Sequence, residues 1–527
     1  MKWRSALLAA CSAIGLLATG LTGSATAAPD GVYDLVRTDL GLVRGTQHDR
    51  HETYKGIPYA APPVGELRWR APQPAKPWEG VLDATNFRSQ CAQLGGLGGI
   101  IESYEEDCLY LNVTTPSRLG KRPVVVWFYG GGFQNGTSST YDASKLADQG
   151  DVVVVTVNYR VGALGFMALP SLDGENPGVQ SGNYGIEDQQ AAMRWVQRNA
   201  AAFGGAPGNV TLAGQSAGAG SICIHLASPT AAGLFHRAIG ETFSCDAKML
   251  TKDQAETIGT SVAEQFGCAD ASTAADCLRG KPVPDLMKAW PPLPQGPVVG
   301  GKELPMQPGD ALRQGKFNKV PMLWGNNLDE MRMIVSVQYD GSGNPVTPTM
   351  YEEIIRSTYG AYADQVLQRY PLANYPTPGI ALSAVQTDAG NELLSTCPHL
   401  RGYQAATATG SAPLYVYQFA DRTAPPVVDI PGFDEGAEHS VELNYLFPNF
   451  MGPLKNAEQE KLSDTMVNYW TTFARTGNPN GNGEVNWPRY RSAADVLSLD
   501  IAPGGIHTVD IEKNSHCGFW ATVPNAA

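Results

Sequence analysis

Ser216 is the residue whose setting most directly suggests chemistry. It lies in Gly214-Gln-Ser-Ala-Gly218, after an apolar run at 210–213 and before a small-residue stretch leading toward Leu226. Strand, sharp turn and helix is the order in which a Gly-x-Ser-x-Gly segment presents a nucleophile. The turn predicts a strained backbone at Ser216, tolerable because the glycines at 214 and 218 let neighbouring chain pass close. That strain would lift the hydroxyl above a helix N-terminus, where backbone N–H groups stabilise an oxyanion. Such a pattern also arises by chance in a chain with 58 glycines, so its partners decide.

A serine hydroxyl is a poor nucleophile at neutral pH. It needs a base, and the base needs an orienting carboxylate. Well downstream of Ser216, before the tail, stand His399, His439 and His507. His439 occupies a glycine-flanked loop, Gly436-Ala-Glu-His-Ser440, ahead of the apolar run 443–447; His399 follows Cys397-Pro398 and reads as structural. Asp329 and Glu330 end Gly325-Asn-Asn-Leu-Asp-Glu330, just past the apolar run 320–324, so both fall at a strand end. A second glycine-rich turn, Gly130-Gly131-Gly132, follows the apolar run 123–128. Glycines there would let backbone donors approach a substrate carbonyl.

The runs at 123–128 and 152–157 are continuously apolar, as suits buried parallel strands. Residues 186–203 carry Met193, Val196, Ala200 and Phe203 at helical spacing, which predicts an amphipathic helix on that sheet. Further strands are expected at 209–213, 238–243, 320–324 and 414–419. Strands alternating with helices predict an α/β fold: a mainly parallel central sheet, helices on both faces and long insertions. Ligands bind such sheets beyond the C-terminal strand ends, where Ser216 falls. No linker, repeat or low-complexity tract marks a boundary, so 28–527 reads as one domain despite its length.

Met1-Lys-Trp-Arg, an apolar run at 6–21 and Ser24-Ala-Thr-Ala-Ala28 read as a signal peptide, residues 1–27, cleaved near Ala27 or Ala28. Leu8-Ala-Ala-Cys11 is similar to a lipoprotein box but precedes most of the apolar run. No later segment is long and apolar enough to span a bilayer, so an exported protein with no stable membrane anchor is expected. The net charge of −13, from 51 acidic and 38 basic residues, argues against nucleic acid or an anionic membrane surface as partner. Export permits disulfides among the eight cysteines that follow the leader. There is no CxxC pair and no His cluster at metal spacing; neither a metal nor another cofactor is expected.

Longer passages carry a family resemblance. They are Tyr54-Lys-Gly-Ile-Pro-Tyr-Ala-Ala-Pro-Pro63, Glu106-Asp-Cys-Leu-Tyr-Leu-Asn-Val113, Trp127-Phe-Tyr-Gly-Gly-Gly-Phe133, Asn158-Tyr-Arg-Val-Gly162, Gly182-Asn-Tyr-Gly185 and Phe203-Gly-Gly-Ala-Pro-Gly-Asn-Val-Thr-Leu212. In this order the chain, from about residue 31 to 521, resembles the type-B carboxylesterase and cholinesterase family of α/β-hydrolases. The resemblance implies a triad in the chain order Ser216, Glu330, His439, with Asp329 beside the acid as a structural neighbour. It implies an oxyanion hole of Gly131, Gly132 and Ala217, and pairs Cys91 with Cys108, Cys268 with Cys277 and Cys397 with Cys517. Cys223 and Cys245 are left as thiols or a fourth bridge. It also places Phe133, Gln215, Pro291 and Leu293 in the substrate pocket.

Departures from the family pattern bear on substrate. Gln215 stands where the family usually has Glu, which weakens attraction for cations. The loop between Cys91 and Cys108 holds no tryptophan, the residue with which choline-selective relatives bind a quaternary ammonium. Pro291 and Leu293 stand where cholinesterases narrow the acyl pocket with aromatics. Met331 replaces a common Gly. The implied activity is hydrolysis of short- to medium-chain neutral carboxylic esters, small molecules, by an exported enzyme. A lipase shares this chemistry. A non-catalytic binding protein of the same family would have lost triad residues, and here all three are present.

Overall fold

The computed structural model describes residues 35–96, 99–175, 180–292, 296–410, 412–481 and 483–524. The expected signal peptide and its cleavage site lie outside these residues, as does Leu293.

Seven parallel strands form the centre of an eleven-stranded sheet. In chain order they are β1 (Arg122–Phe128), β2 (Val153–Val157), β3 (Gly205–Gln215), β4 (Arg237–Glu241), β5 (Met322–Asn327), β6 (Leu414–Phe419) and β7 (Val496–Leu499). Across the sheet they run β7-β6-β5-β4-β3-β1-β2. Antiparallel strands close both edges: Tyr110–Thr115, Glu52–Pro58 and Thr46–Gln47 beyond β2, and His507–Val509 beyond β7. A separate three-stranded sheet pairs Leu35–Arg37, Leu42–Arg44 and Val81–Asp83.

The continuous apolar runs have the physical cause expected of them. Every residue of β2, β5 and β6 is buried, because helices cover both faces of the sheet. Adjacent side chains of β1 show this. Phe128 packs on His225, which belongs to the helix α2 (Ala217–Ala227), with ring centroids 5.6 Å apart. Its neighbour Trp127 points the other way and packs on Phe447 at 4.7 Å. The amphipathic segment forms α1 (Tyr184–Asn199), which a 3-10 turn, Ala200–Phe203, extends. The short helix α3 (Val283–Ala289) precedes the Pro-rich wall of a cavity. The long helix α4 (Ala457–Thr476) contacts β1 and β3.

The run expected as strand to 243 ends at Glu241, because Thr242 turns to φ 53°. That conformation is unfavourable for a β-branched residue, and Thr242 reappears below beside Glu330. Register places Gln215 of β3 opposite Glu241 of β4, and Glu241 opposite Gly325 of β5. The C-terminal ends of β1, β3, β4 and β5 therefore open on one edge of the sheet.

Four disulfides brace the loops. Three join the pairs that the resemblance implies. The fourth joins Cys223 of α2 to Cys245, a separation of 22 residues. It fastens the helix that starts at Ser216 to the segment leaving β4. In the chain-entropy model a loop of this length contributes about 3 kcal/mol.

Candidate active site

Ser216 has φ 53° and ψ −125° at the N-cap of α2. Its N–H donates to the Glu241 carbonyl at 2.8 Å, which ties the turn to β4. A Cβ on Gly218 would stand 2.0 Å from the Phe128 carbonyl oxygen, and one on Gly214 2.7 Å from the same atom. Both glycines are thus required by the end of β1 passing through the turn.

Glu330 lies just past the end of β5 and is fully buried. Its Oε1 accepts from the Thr242 hydroxyl at 2.8 Å and from the Asn327 N–H. Its Oε2 accepts from His439 Nδ1 at 2.8 Å. That bond assigns the proton of the imidazole to Nδ1 and leaves the Nε2 lone pair free to accept. The Gln215 side-chain amide donates to this lone pair at 3.2 Å. No hydrogen bond joins Ser216 Oγ to His439 among the described residues.

Asp329 is turned away from the imidazole. It accepts from Arg422 at 2.8 and 3.0 Å, pairs with Arg332 at 3.1 Å and accepts from the Ala437 N–H at 3.1 Å. Its own N–H donates to the Ala437 carbonyl at 3.0 Å. Asp329 therefore anchors the loop that carries His439, two residues further on. His399 is buried, its Nδ1 2.8 Å from the Ser395 carbonyl, and burial pushes its pKa down to about 4. His507 is exposed on the edge strand.

Gly131 and Gly132 adopt φ of 113° and 62°. The Gly131 carbonyl is held by the N–H groups of Gln134 and Asn135, and a Cβ at this position would fall 2.2 Å from the Asn135 carbonyl. Gly131, Gly132 and Ala217 line one cavity of about 730 Å³ together with Ser216 and His439. Gln215, Phe133 and Pro291 also line it. Its remaining walls are mostly apolar and include Tyr141, Phe243, Met249, Met287, Trp290 and Phe450. The volume is that of a pocket for a drug-sized molecule. Leu94 and Ile100, from the loop between Cys91 and Cys108, reach the cavity. Among the described residues no group of three metal-ligating side chains gathers, and no helix is long and apolar enough to cross a membrane.

A family model for the carboxylesterase family matches residues 33–520. The chain belongs to the carboxylesterase family. It is 35% identical to the para-nitrobenzyl esterase of Bacillus subtilis (strain 168), over 89% of this chain and 95% of that one. It is 34% identical to a fumonisin B1 esterase of Sphingopyxis macrogoltabida, over 94% of this chain and 92% of the relative. Among solved structures it is similar to a thermophilic PNB esterase, with TM-score 0.76, 34% identity and 92% and 99% of the two chains covered. A carboxylesterase of Geobacillus stearothermophilus gives TM-score 0.77 at 31% identity, with 92% and 99% covered. The fold is that of these α/β-hydrolases, and the protein is a hydrolase of carboxylic esters.

Around the imidazole of this carboxylesterase, burial lowers the pKa of His439, but the hydrogen bond and charge of Glu330, with the charge of Glu442, outweigh it and hold it above its ordinary 6.5. Glu442 is itself buried; burial and then the Glu330 charge push its pKa up, while Asn327 Nδ2 donates to its Oε2. Glu241 is pushed up by burial and by the Glu442 charge, and accepts from Trp470 Nε1 of α4 at 2.8 Å. Sequence reasoning missed Thr242, Asn327, Glu241 and Glu442. A signal for three of them was present: Glu241 and Thr242 interrupt the apolar run 238–243, and Glu442 directly precedes the apolar run 443–447. A polar side chain forced into a core strand end needs a buried partner.

Proposed function

We propose that the chain is an exported serine carboxylesterase that hydrolyses short- to medium-chain esters through an acyl-enzyme on Ser216. The observation that carries this reading is the strained Ser216 in one cavity with His439, whose Nδ1 lies 2.8 Å from the buried Glu330. His439 takes the Ser216 proton on Nε2 as Oγ attacks the ester carbonyl. Glu330 holds the Nδ1–H tautomer and stabilises the imidazolium. Gly131, Gly132 and Ala217 donate to the oxyanion, each contributing roughly 3 kcal/mol to the transition state. The imidazolium then protonates the departing alcohol, and water attacks the acyl-enzyme with the same base. For the first transfer the Gln215 amide has to release Nε2 to the serine. Export is supported by the leader-like N-terminus and by four disulfides.

The base must be neutral, so kcat/KM falls as pH drops through the His439 pKa. Since that value lies above 6.5, the acid limb is expected above pH 6.5. Gln215→Glu sets an anion beside Nε2, favours the imidazolium and should move the limb higher still. A pH–rate profile of both proteins checks this; a wild-type limb at or below 6.5 would contradict the Glu330 coupling.

A second reading, a lipase, is favoured by Leu94, which lines the cavity, and Ile101 of the same loop, 38% and 72% exposed. Rates on p-nitrophenyl butyrate, tributyrin, triolein emulsion and butyrylthiocholine separate the readings. The expected order puts p-nitrophenyl butyrate and tributyrin first, with no rise above the solubility limit. A jump in rate at the emulsion interface with triolein preferred makes the protein a lipase, and butyrylthiocholine as best substrate refutes the argument from Gln215 and the missing tryptophan.

A further inference from the structure

The charge on the cavity walls is opposite to that of the chain. Carboxylates outnumber cationic side chains 51 to 38 in the sequence. Yet the charged side chains among the described residues lining the cavity, the imidazole apart, are Lys248 and Lys288, with no Asp or Glu beside them. Both lysines are exposed. Neither makes an ion pair among the described residues, whereas Lys145, Lys252 and Lys302 each pair with a carboxylate.

The carboxylates nearest in sequence are occupied or off the wall. Asp246, two residues before Lys248, pairs with Arg313 and Arg401, and Asp310 pairs with Arg313. Asp285, one turn before Lys288 on α3, forms no ion pair with it, and Glu392 is exposed without lining the cavity.

The two lysines line the same cavity. Leu250 and Val298 form a parallel bridge, and the Val299 N–H donates to the Leu250 carbonyl at 2.9 Å. This stitches the segment after Lys248 to the one that follows Lys288. The lining residues next to them in sequence are apolar: Met249 and Leu250 after Lys248, Met287 and Trp290 around Lys288. An apolar stem therefore has surface to lie on in a cavity whose charged lining side chains, the imidazole apart, are two cations; Asp310, which feels the charge of Lys248, is paired with Arg313 and does not line the cavity.

We infer that this cavity favours esters that carry a carboxylate on the end away from the scissile carbonyl, such as monoesters of aliphatic dicarboxylic acids. The inference rests on the esterase reading of the same cavity and adds a charged end to the neutral esters considered there. The cations act on the encounter and on KM rather than on the bond-breaking step, and their pull is screened by salt because they are exposed.

The test compares p-nitrophenyl hydrogen adipate with p-nitrophenyl hexanoate, an uncharged ester of the same chain length. The readout is the ratio of their kcat/KM values, adipate over hexanoate. In the wild-type protein the ratio is expected to fall at least threefold between 20 and 500 mM sodium chloride, through KM. In a Lys248→Glu/Lys288→Glu double variant it should fall tenfold or more, and in Lys248→Arg/Lys288→Arg it should stay near the wild-type value. A salt-independent wild-type ratio overturns the inference without any variant having to fold. So does a charge-reversed variant whose ratio stays within twofold of wild type while it still hydrolyses the hexanoate. Failure of the esterase reading looks different: the wild-type protein would hydrolyse neither ester, or Ser216→Ala would still hydrolyse both.

Discussion

Ser216→Ala is expected to lower kcat/KM on p-nitrophenyl butyrate by roughly 10⁴- to 10⁶-fold, the scale on which a triad acts as a unit. The residual rate would come from the cavity and from the N–H donors of Gly131, Gly132 and Ala217, which the substitution leaves in place. The fold should survive. Alanine has the backbone requirements of serine, the strain at φ 53° is already carried by the surrounding chain, and no partner of the hydroxyl is left orphaned. Near-ultraviolet circular dichroism should therefore overlay on wild type. Phenylmethylsulfonyl fluoride should add one sulfonyl group to the wild-type protein, on the peptide containing Ser216, and none to the variant. Turnover within tenfold of wild type, or a label mapped elsewhere, would remove Ser216 as the nucleophile.

The second large effect distinguishes two neighbouring acids. Glu330→Gln keeps the size of the side chain but can turn an amide N–H toward His439 Nδ1, which then has to become the acceptor. The imidazole is held in the wrong tautomer and its cation loses the adjacent anion. A fall in kcat of roughly 10³- to 10⁴-fold is expected, with little change in KM. Asp329→Asn should behave in the opposite sense. It weakens the ion pairs to Arg332 and Arg422 and the tie to Ala437, leaving the Glu330–His439 contact in place. The cost should appear as stability, on the order of 2–4 kcal/mol, toward the lower end because the half-exposed Arg422 is screened. Denaturant melts of both variants beside their kcat values provide the check. An inactive but fully stable Asp329→Asn, with Glu330→Gln active, would exchange their roles.

Much of the sheet was legible because its signals are local. A buried parallel strand is apolar throughout, and 123–128, 152–157 and 414–419 read that way without knowledge of what covers them. The strand before Ser216 was legible only in part. It starts at Gly205, through Gly and Pro that break the apolar signal, and pairs there with Arg122 across an irregular register. The run at 238–243 lost its last two residues to a turn at Thr242, whose hydroxyl donates to Glu330.

The sequence by itself determined the α/β class, the strained turn at Ser216 and its two obligatory glycines, because strain, small size and periodicity act over a few neighbouring residues. Through resemblance it also named a candidate acid, a candidate base and three disulfide pairs. Tertiary structure alone decided which side chains meet. It seats the Gln215 amide on His439 across 224 residues and Thr242 against Glu330 across 88, and it closes Cys223 on Cys245. It also brings Lys248 and Lys288 to one cavity whose described lining holds no carboxylate. The meetings at Gln215 and Thr242 follow from strand register, which sets Gln215, Glu241 and Gly325 side by side. Register is a property of the packed sheet, fixed when buried faces and polar groups are satisfied together, and no short stretch of the chain encodes it.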